Sequence, residues 1–209
     1  RILLMKNIIL MGGGGHCKSV IDVIVSDASW SILGILDAKS KTVISGYPLL
    51  GNDDLIPALI NDANAFLVTV GQIKTPTPRV AAFERLVALG AIIPIIISPY
   101  SLVSTSSTVG VGTVVMHNAV INSGARIGKN SIINTKSLIE HDSIVGSHTH
   151  ISTGAIVNGG SEVGDHCFVG SGAIIAEGVK IGNRSIIGAG SLVLSDVEEG
   201  AKVFGQDRH

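Results

Sequence analysis

The feature that most constrains this chain is a six-residue period that runs through its second half. Every sixth residue from Ile97 to Val193 is isoleucine or valine, which makes seventeen such positions without a slip. A small side chain usually stands four residues after each of them, and glycine or asparagine frequently stands one residue after. A fixed short period of this kind indicates a solenoid, in which each coil covers the apolar side of the next.

The period gives each residue type a place in the coil. We expect the β-branched residue to point inward and stack on its equivalents, with the small residue in the narrow part of the section. We also expect the following glycine or asparagine to form the turn, where φ can be positive. The repeat resembles that of the left-handed β-helix proteins, and this resemblance implies triangular coils of three hexapeptides, with residues 18 apart above one another.

The first half of the chain alternates short apolar runs with amphipathic stretches. We predict strands and helices in the following ranges: strands at Ile8–Met11, Ile32–Leu36, Phe66–Val70 and Ala91–Ile96, and helices at Ser19–Ser26, Asp53–Ile60 and Pro78–Leu89. This alternation is typical of a parallel sheet flanked by helices. The predicted architecture is a small Rossmann-like α/β domain over residues 1–96, followed by a left-handed parallel β-helix over residues 97–209.

Charge and cysteine content exclude several classes of partner. The chain has 15 basic and 16 acidic residues, so we expect neither a nucleic-acid surface nor a polybasic membrane patch. Cys17 and Cys167 match no metal or redox spacing, so no metal site is expected and a reducing, cytoplasmic compartment fits. The apolar run Arg1–Met11 is too short for a membrane span, and Met5 resembles a natural start.

His141 is the strongest candidate for a catalytic side chain. Glu140 and Asp142 flank it, in a repeat that elsewhere prefers small neutral residues. An imidazole beside a carboxylate can act as a general base near neutral pH, although a solvated surface histidine is the plainer interpretation. In an 18-residue register, Gly159 lies directly above His141. His150 occupies a phase that is mostly apolar, so its ring must find a partner in the protein or in a ligand.

A second candidate site lies where the first predicted strand ends. A glycine cluster follows Met11, and a helix begins near His16. The free amides at a helix start attract phosphate, although a tight strand-to-helix turn would use the same glycines. The candidate ligand-binding residues here are Gly12, Gly13, Gly14 and His16. Asp37, at the end of the second predicted strand, is placed to meet a ribose or a base.

These motifs together resemble a known family. The segment Ile133–Val145, the run from His150 to Gly154, the hexapeptides and the N-terminal run from Gly12 to Lys18 look like the NeuD/PglD-like group of sialic acid O-acetyltransferases and amino-sugar N-acetyltransferases. The resemblance implies an acetyl-CoA-dependent sugar acetyltransferase. It also implies a homotrimer with its sites between neighbouring β-helices.

The resemblance further implies roles for individual residues. His141 would be the general base and Asp142 would orient it, with Asn134 as a polar group beside the base. His150 and the backbone N–H of Gly159 would contact acetyl-CoA, and an amide above the base could stabilise an oxyanion.

The same resemblance covers the N-terminal domain. It implies that this domain holds the nucleotide of a nucleotide-linked sugar, and that Arg79 lies on a helix lining the cleft. The C-terminal segment Val203–His209 departs from the family, because it lacks the usual Gly-x-Pro-Ala sequence.

Two acceptors remain open. The nucleotide-type loop favours the amine of a nucleotide-linked amino sugar, whereas the segments Ile133–His141 and Tyr47–Asn52 are closer to enzymes that O-acetylate sialic acid or a related nonulosonic acid. A γ-type carbonic anhydrase is disfavoured because no two histidines stand five residues apart. A non-catalytic scaffold would not need the acidic flanks of His141.

Overall fold

The N-terminal part is a parallel sheet with helices packed on it. The structure, a computed structural model, describes residues 6–39 and 43–205, so the first five residues of the run Arg1–Met11 and the last four of the C-terminal tail lie outside it. The elements of this part are β1 (Lys6–Met11), α1 (Gly15–Asp27), β2 (Trp30–Leu36), β3 (Leu49–Gly51), a 3₁₀ turn (Asp53–Leu55), α2 (Ile56–Leu59), β4 (Asn64–Val68) and α3 (Thr77–Ala88). The strand order is β3-β2-β1-β4 and every pairing is parallel, which confirms the Rossmann-like prediction.

Two details of this sheet differ from the prediction. The prediction of a strand at Ala91–Ile96 is wrong. Ile92 makes only one isolated bridge, to Ala65, and Ile96 already belongs to the first coil of the β-helix. Pro94 lies between them and has no N–H for a ladder. The short strand β3 was missed because three residues are too few to show a period of two.

The remaining chain forms the predicted left-handed β-helix, whose short strands stack into three parallel faces. The covered face contains Ile96–Ile97, Val114–Val115, Ile132–Ile133, His150–Ile151, Phe168–Val169, Ile186–Ile187 and Lys202–Val203. The apolar face contains Leu102–Val103, Val120–Ile121, Leu138–Ile139, Ile156–Val157, Ile174–Ile175 and Leu192–Val193. The charged face contains Thr108–Val109, Arg126–Ile127, Ile144–Val145, Glu162–Val163 and Lys180–Ile181. The chain turns a corner after each strand. The first corner follows a strand of the covered face, the second follows a strand of the apolar face, and the third follows a strand of the charged face.

The three faces are named for what lies on them. The N-terminal domain packs on the covered face, where Ile96 and Val114 share one apolar cluster with Ile8 and Leu10 of β1. The outward side chains of the apolar face are all aliphatic, and Leu102 is 63% exposed. Those of the charged face include Arg126, Glu162 and Lys180.

The inward positions follow the sequence prediction, whereas the turns do not. We number the three residues after each inward residue as turn positions 1, 2 and 3. Positive φ falls at turn position 3, for example at Asp142 (59°) and His148 (56°), not at the glycine-rich position 1. Glycine is needed at position 1 for another reason: a Cβ on Gly128 would lie 2.4 Å from the backbone nitrogen of Ser147 in the next coil. The repeat therefore uses glycine there for close approach of backbones.

Candidate active site

A cleft runs from the N-terminal sheet to the first corner of the β-helix. Its first cavity, about 740 Å³, lies at the carboxyl ends of β1, β2 and β3 and is lined by the loop Gly12–Gly15, Asp37 and Asp53. Its second cavity, about 570 Å³, is lined by His150 of the covered face and by Asn134 of the first corner. The two cavities share four lining residues, Gly15, His16, Gly71 and Ile73. A ligand that is elongated can therefore occupy both.

The loop between β1 and α1 presents backbone amides to the first cavity. Gly12 has φ of 101°, and a Cβ there would lie 2.6 Å from the side chain of Val70, so only glycine fits. Gly14 caps α1 without a side-chain hydrogen bond, which leaves the first amides of the helix for an anion. Asp37 shapes the loop, because its Oδ2 accepts the N–H of Gly13 at 2.5 Å.

His16 borders both cavities and is held neutral. Its ring nitrogen Nε2 is buried and has no hydrogen-bond partner among the described residues. Burial, together with the nearby Arg79 cation, lowers the pKa of His16 to about 3. A neutral imidazole with an unpaired nitrogen at the start of α1 is available to a ligand of the cleft.

His150 is fixed by two hydrogen bonds in the second cavity. Its Nδ1–H donates to the carbonyl oxygen of Gln72 at 2.6 Å, so Nε2 is an acceptor and receives the Nδ2–H of Asn134 at 3.1 Å. Burial lowers the pKa of His150 to about 4, which keeps the ring neutral. Gln72 also donates through Nε2 to the carbonyl oxygens of His148 and Cys167, at 2.9 and 3.0 Å. No pattern in the sequence pointed to Gln72, although it ties the cleft to the β-helix.

His141 lies at the second corner with its acidic partner in place. The Nδ1 of His141 is 3.0 Å from Oδ2 of Asp142, and both side chains are exposed to solvent. This hydrogen bond raises the pKa of His141, and the charges of Asp142, Glu140 and Glu177 add to the effect. With its Nδ1 proton held by the carboxylate, the ring leaves Nε2 as the nitrogen that can accept a proton.

Gly159 lies directly over the ring of His141, as the 18-residue register predicted. A Cβ at this residue would lie 2.7 Å from Nε2 of His141. Among all the turn position 2 residues from Pro99 to Ser195, Gly159 is the only glycine, a signal that the sequence carried. Its N–H donates to no acceptor in the described part of the chain, whereas the next amide, Gly160, donates to the carbonyl of His141. The N–H of Gly159 can therefore bind an oxygen beside Nε2.

The expected neighbours Asn134 and His141 do not meet within one chain. Asn134 lies at the first corner and His141 at the second, with the apolar strand Leu138–Ile139 between them. One side of the coil, about 20 Å of extended chain, therefore separates these two residues. The chain thus carries two half-sites, one at each corner of its apolar face.

Arg79 has a different position from the one expected. Its side chain is completely buried, and its guanidinium donates to the carbonyl oxygens of Val68, Val70 and Asn130 at 2.8–3.1 Å. Burial lowers the pKa of Arg79 to about 9. The residue does not line either cavity; it joins α3, the end of β4 and the third corner.

Helix length and the grouping of side chains among the described residues bear on membrane spans and metal sites. Over residues 6–39 and 43–205, no helix is long and apolar enough to cross a membrane. Within the same ranges, no three histidine, cysteine or acidic side chains are grouped to hold a metal ion. Cys17 and Cys167 are both buried free thiols.

Family models match both parts of the chain. Residues 7–81 match the PglD N-terminal domain, and residues 160–195 match the bacterial transferase hexapeptide with six repeats. A comparison with curated proteins found no significant match.

Solved structures match along nearly the whole length. The acetyltransferase domain of PglB from Neisseria gonorrhoeae, in complex with acetyl coenzyme A, is 29% identical over 96% of each chain, with a TM-score of 0.92. Perosamine N-acetyltransferase from Caulobacter crescentus, a histidine-to-asparagine variant in complex with CoA and GDP-perosamine, is 30% identical over 97% of this chain and 95% of that one, with a TM-score of 0.91. WeeI from Acinetobacter baumannii, at 24% identity, 95% and 96% coverage and a TM-score of 0.81, shares the fold.

Proposed function

The chain belongs to the PglD-like family of hexapeptide-repeat sugar acetyltransferases, and we propose that it transfers the acetyl group of acetyl-CoA to the amine of a nucleotide-linked amino sugar. The joined cleft is the observation that carries this proposal. Its first cavity has the amides of α1 for a diphosphate, and its second leads to Asn134 and His150, where a sugar would lie. A free sialic acid has no diphosphate to use the first cavity, so the cleft favours the nucleotide-linked acceptor.

The half-sites become complete in a trimer. If three prisms turn their apolar faces toward a common three-fold axis, the second corner of each meets the first corner of its neighbour. His141 of one subunit then faces Asn134 of the next. The two residues belong to the same coil, so they lie at similar heights along the axis. Each trimer would contain three such sites.

The apolar face provides the surface for this contact. Its outward ladder of Leu102, Val120, Leu138, Ile156, Ile174 and Leu192 has no charged residue. The covered face is already occupied by the N-terminal domain, and the charged face suits solvent. A continuous aliphatic ladder left without a partner marks a protein interface.

Introducing a charge on this ladder should separate the subunits. Ile156→Asp places a carboxylate at the centre of the apolar face, where burial of an unpaired charge is strongly unfavourable. We expect a monomer at micromolar concentration by analytical ultracentrifugation, with acetyl transfer lost. The matched control Ile144→Asp, at the same repeat position on the charged face, should stay trimeric. A monomeric wild-type protein, or a trimeric Ile156→Asp, would contradict the arrangement.

The two corners leave room for acetyl-CoA. Between His150 and Val193, every turn position 3 at the first and second corners is glycine, and a Cβ there would meet nothing within 4 Å; these are Gly154, Gly160, Gly172, Gly178 and Gly190. The backbone does not require glycine, because His148, His166 and Arg184 adopt the same positive φ at the third corner. Over this stretch, the bare turns stand at only the two meeting corners, which fits a groove for the pantetheine arm.

The residues of this groove have complementary tasks. Nε2 of His150 only accepts hydrogen bonds, so a pantetheine amide N–H could bind it in place of the Nδ2–H of Asn134. As the acceptor nitrogen attacks the thioester carbon, Nε2 of His141 takes its proton, and the N–H of Gly159 binds the carbonyl oxygen. The C–S bond then breaks, and His141 returns the proton to the departing sulfur. Asp142 holds the ring and stabilises its charged form.

A single assay tests this function. The protein is mixed with acetyl-CoA and either a nucleotide-linked amino sugar, the matching sugar with a hydroxyl in place of the amine, or a sialic acid, and the free thiol is measured. We expect thiol release with an amino sugar, together with an N-acetylated product. Release only with sialic acid would favour the O-acetyltransferase alternative.

A further inference from the structure

The strand ends set an order of groups along the first cavity. In the sheet order β3-β2-β1-β4, β4 leads into the loop of Gly71, β1 into the glycine loop, β2 into Asp37 and β3 into Asp53. The second cavity, for the sugar, opens beside Gly71 and Ile73. The amides of α1 and the unpaired Nε2 of His16 mark the place of the diphosphate. A nucleotide laid out in this order has its ribose near Asp37 and its base near Asp53.

Asp53 differs from Asp37 in what its carboxylate contacts. Asp37 accepts the backbone N–H groups of Gly13 and Lys39. Within the described residues, the carboxylate of Asp53 makes no hydrogen bond or ion pair, and the nearby Arg85 pairs with Asp54 instead. Partial burial raises the pKa of Asp53, opposed by Arg85 and reinforced by the charges of Asp54 and Asp37. Both oxygens of Asp53 are therefore available to a ligand in the cavity.

The bases differ in how they can meet a carboxylate. Guanine presents two adjacent donors, N1–H and the 2-amino group, which match two carboxylate oxygens in a bidentate pair. Uracil has one N–H flanked by two carbonyl oxygens, which repel the second carboxylate oxygen. Adenine and cytosine place a ring-nitrogen lone pair beside their amino group, and this lone pair also repels the second carboxylate oxygen. A free carboxylate at the base position both attracts guanine and rejects the others.

We propose that Asp53 recognises guanine, so that the acceptor of this enzyme is a guanosine-diphosphate-linked amino sugar. The inference rests on the proposed function for the presence of a nucleotide. The identity of the base rests on the place of Asp53 in the cavity and on its unpaired oxygens.

Calorimetric binding of free nucleotides tests the assignment without any catalysis. Wild-type protein should bind GDP at least about tenfold more tightly than UDP or ADP, as expected for one added charged hydrogen bond. Asp53→Asn should weaken GDP binding by about 10–100-fold, because the new amide N–H₂ faces the 2-amino group of guanine. The same variant should gain affinity for xanthosine diphosphate, whose 2-carbonyl accepts that N–H. Asp62→Asn, at an exposed acid that lines neither cavity, should leave all preferences unchanged.

The outcomes separate this inference from the proposed function. Equal or tighter binding of UDP by the wild type, or an Asp53→Asn variant with an unchanged GDP-to-UDP ratio, overturns the assignment of guanine and leaves the nucleotide-linked acceptor standing. Failure of GDP, UDP and ADP alike to bind overturns both, since the first cavity would then hold no nucleotide.

Discussion

Replacing His141 with alanine should lower kcat by about 10²–10⁴-fold, the usual contribution of a positioned general base. The acceptor must lose a proton as the new bond forms, and Nε2 of His141 is the nitrogen left free by Asp142. The side chain is exposed within one chain, so its removal should leave folding, trimer formation and acetyl-CoA binding intact. His166→Ala, at a turn of the third corner, is the control and should keep its kcat. Retention of more than about a third of wild-type kcat by His141→Ala would show that proximity alone drives the reaction.

The pH dependence of kcat should also identify His141 as the base. The base works when neutral, so activity falls as pH drops through the pKa of His141, which Asp142 holds above its ordinary value. Asp142→Asn removes that charge, and the acid limb of the pH–kcat profile should therefore move to lower pH. The plateau should fall less than in His141→Ala, because the base remains. An acid limb that does not move would contradict the pairing of these two residues.

Adding one methyl group at Gly159 should be nearly as damaging. In Gly159→Ala, the new Cβ would lie 2.7 Å from Nε2 of His141, so the ring must move from its place. A displacement of about 1 Å can cost about 10²-fold in rate, and we expect a loss of that order in kcat. Alanine itself suits this turn position, because Ala189 occupies it five hexapeptides further along, at the first corner. The melting temperature should therefore change little.

A double variant distinguishes this clash from general damage. In His141→Ala the ring is absent, so adding Gly159→Ala should cost little more, and the two effects should be strongly non-additive. Independent, multiplying effects would mean that Gly159 acts without regard to the base.

Much of the fold could be predicted because it depends on a local, repeated pattern. The inward stack from Ile97 to Val193, the parallel N-terminal sheet and the place of Gly159 over His141 all follow from residue spacing. The turn glycines were misassigned, because the sequence shows that glycine is needed but not whether φ or the approach of the next coil requires it. At Gly128 the structure shows that it is the approach.

The site was harder to predict because its residues are brought together by packing between domains and, in our proposal, between chains. The resemblance implied that Arg79 lies in the wall of the cleft, but its partners are three carbonyl groups from distant segments, which no spacing reveals. The link from Gln72 to His150 joins residues 78 apart. Asn134 and His141 are seven residues apart in sequence yet lie at different corners, since a whole side of the coil separates them.

The most direct test of a site shared between subunits is complementation between two inactive variants. One variant, His141→Ala, lacks the base of the second corner; the other, Asn134→Ala with His150→Ala, lacks the polar pair of the first corner. Each homotrimer should be inactive. In trimers assembled at random from equal amounts of both, about a quarter of the interfaces join two intact corners, so about a quarter of the wild-type rate should return. If the mixed trimers stay as inactive as their parents, each site lies within a single chain and the proposed pairing of corners between neighbouring subunits is wrong.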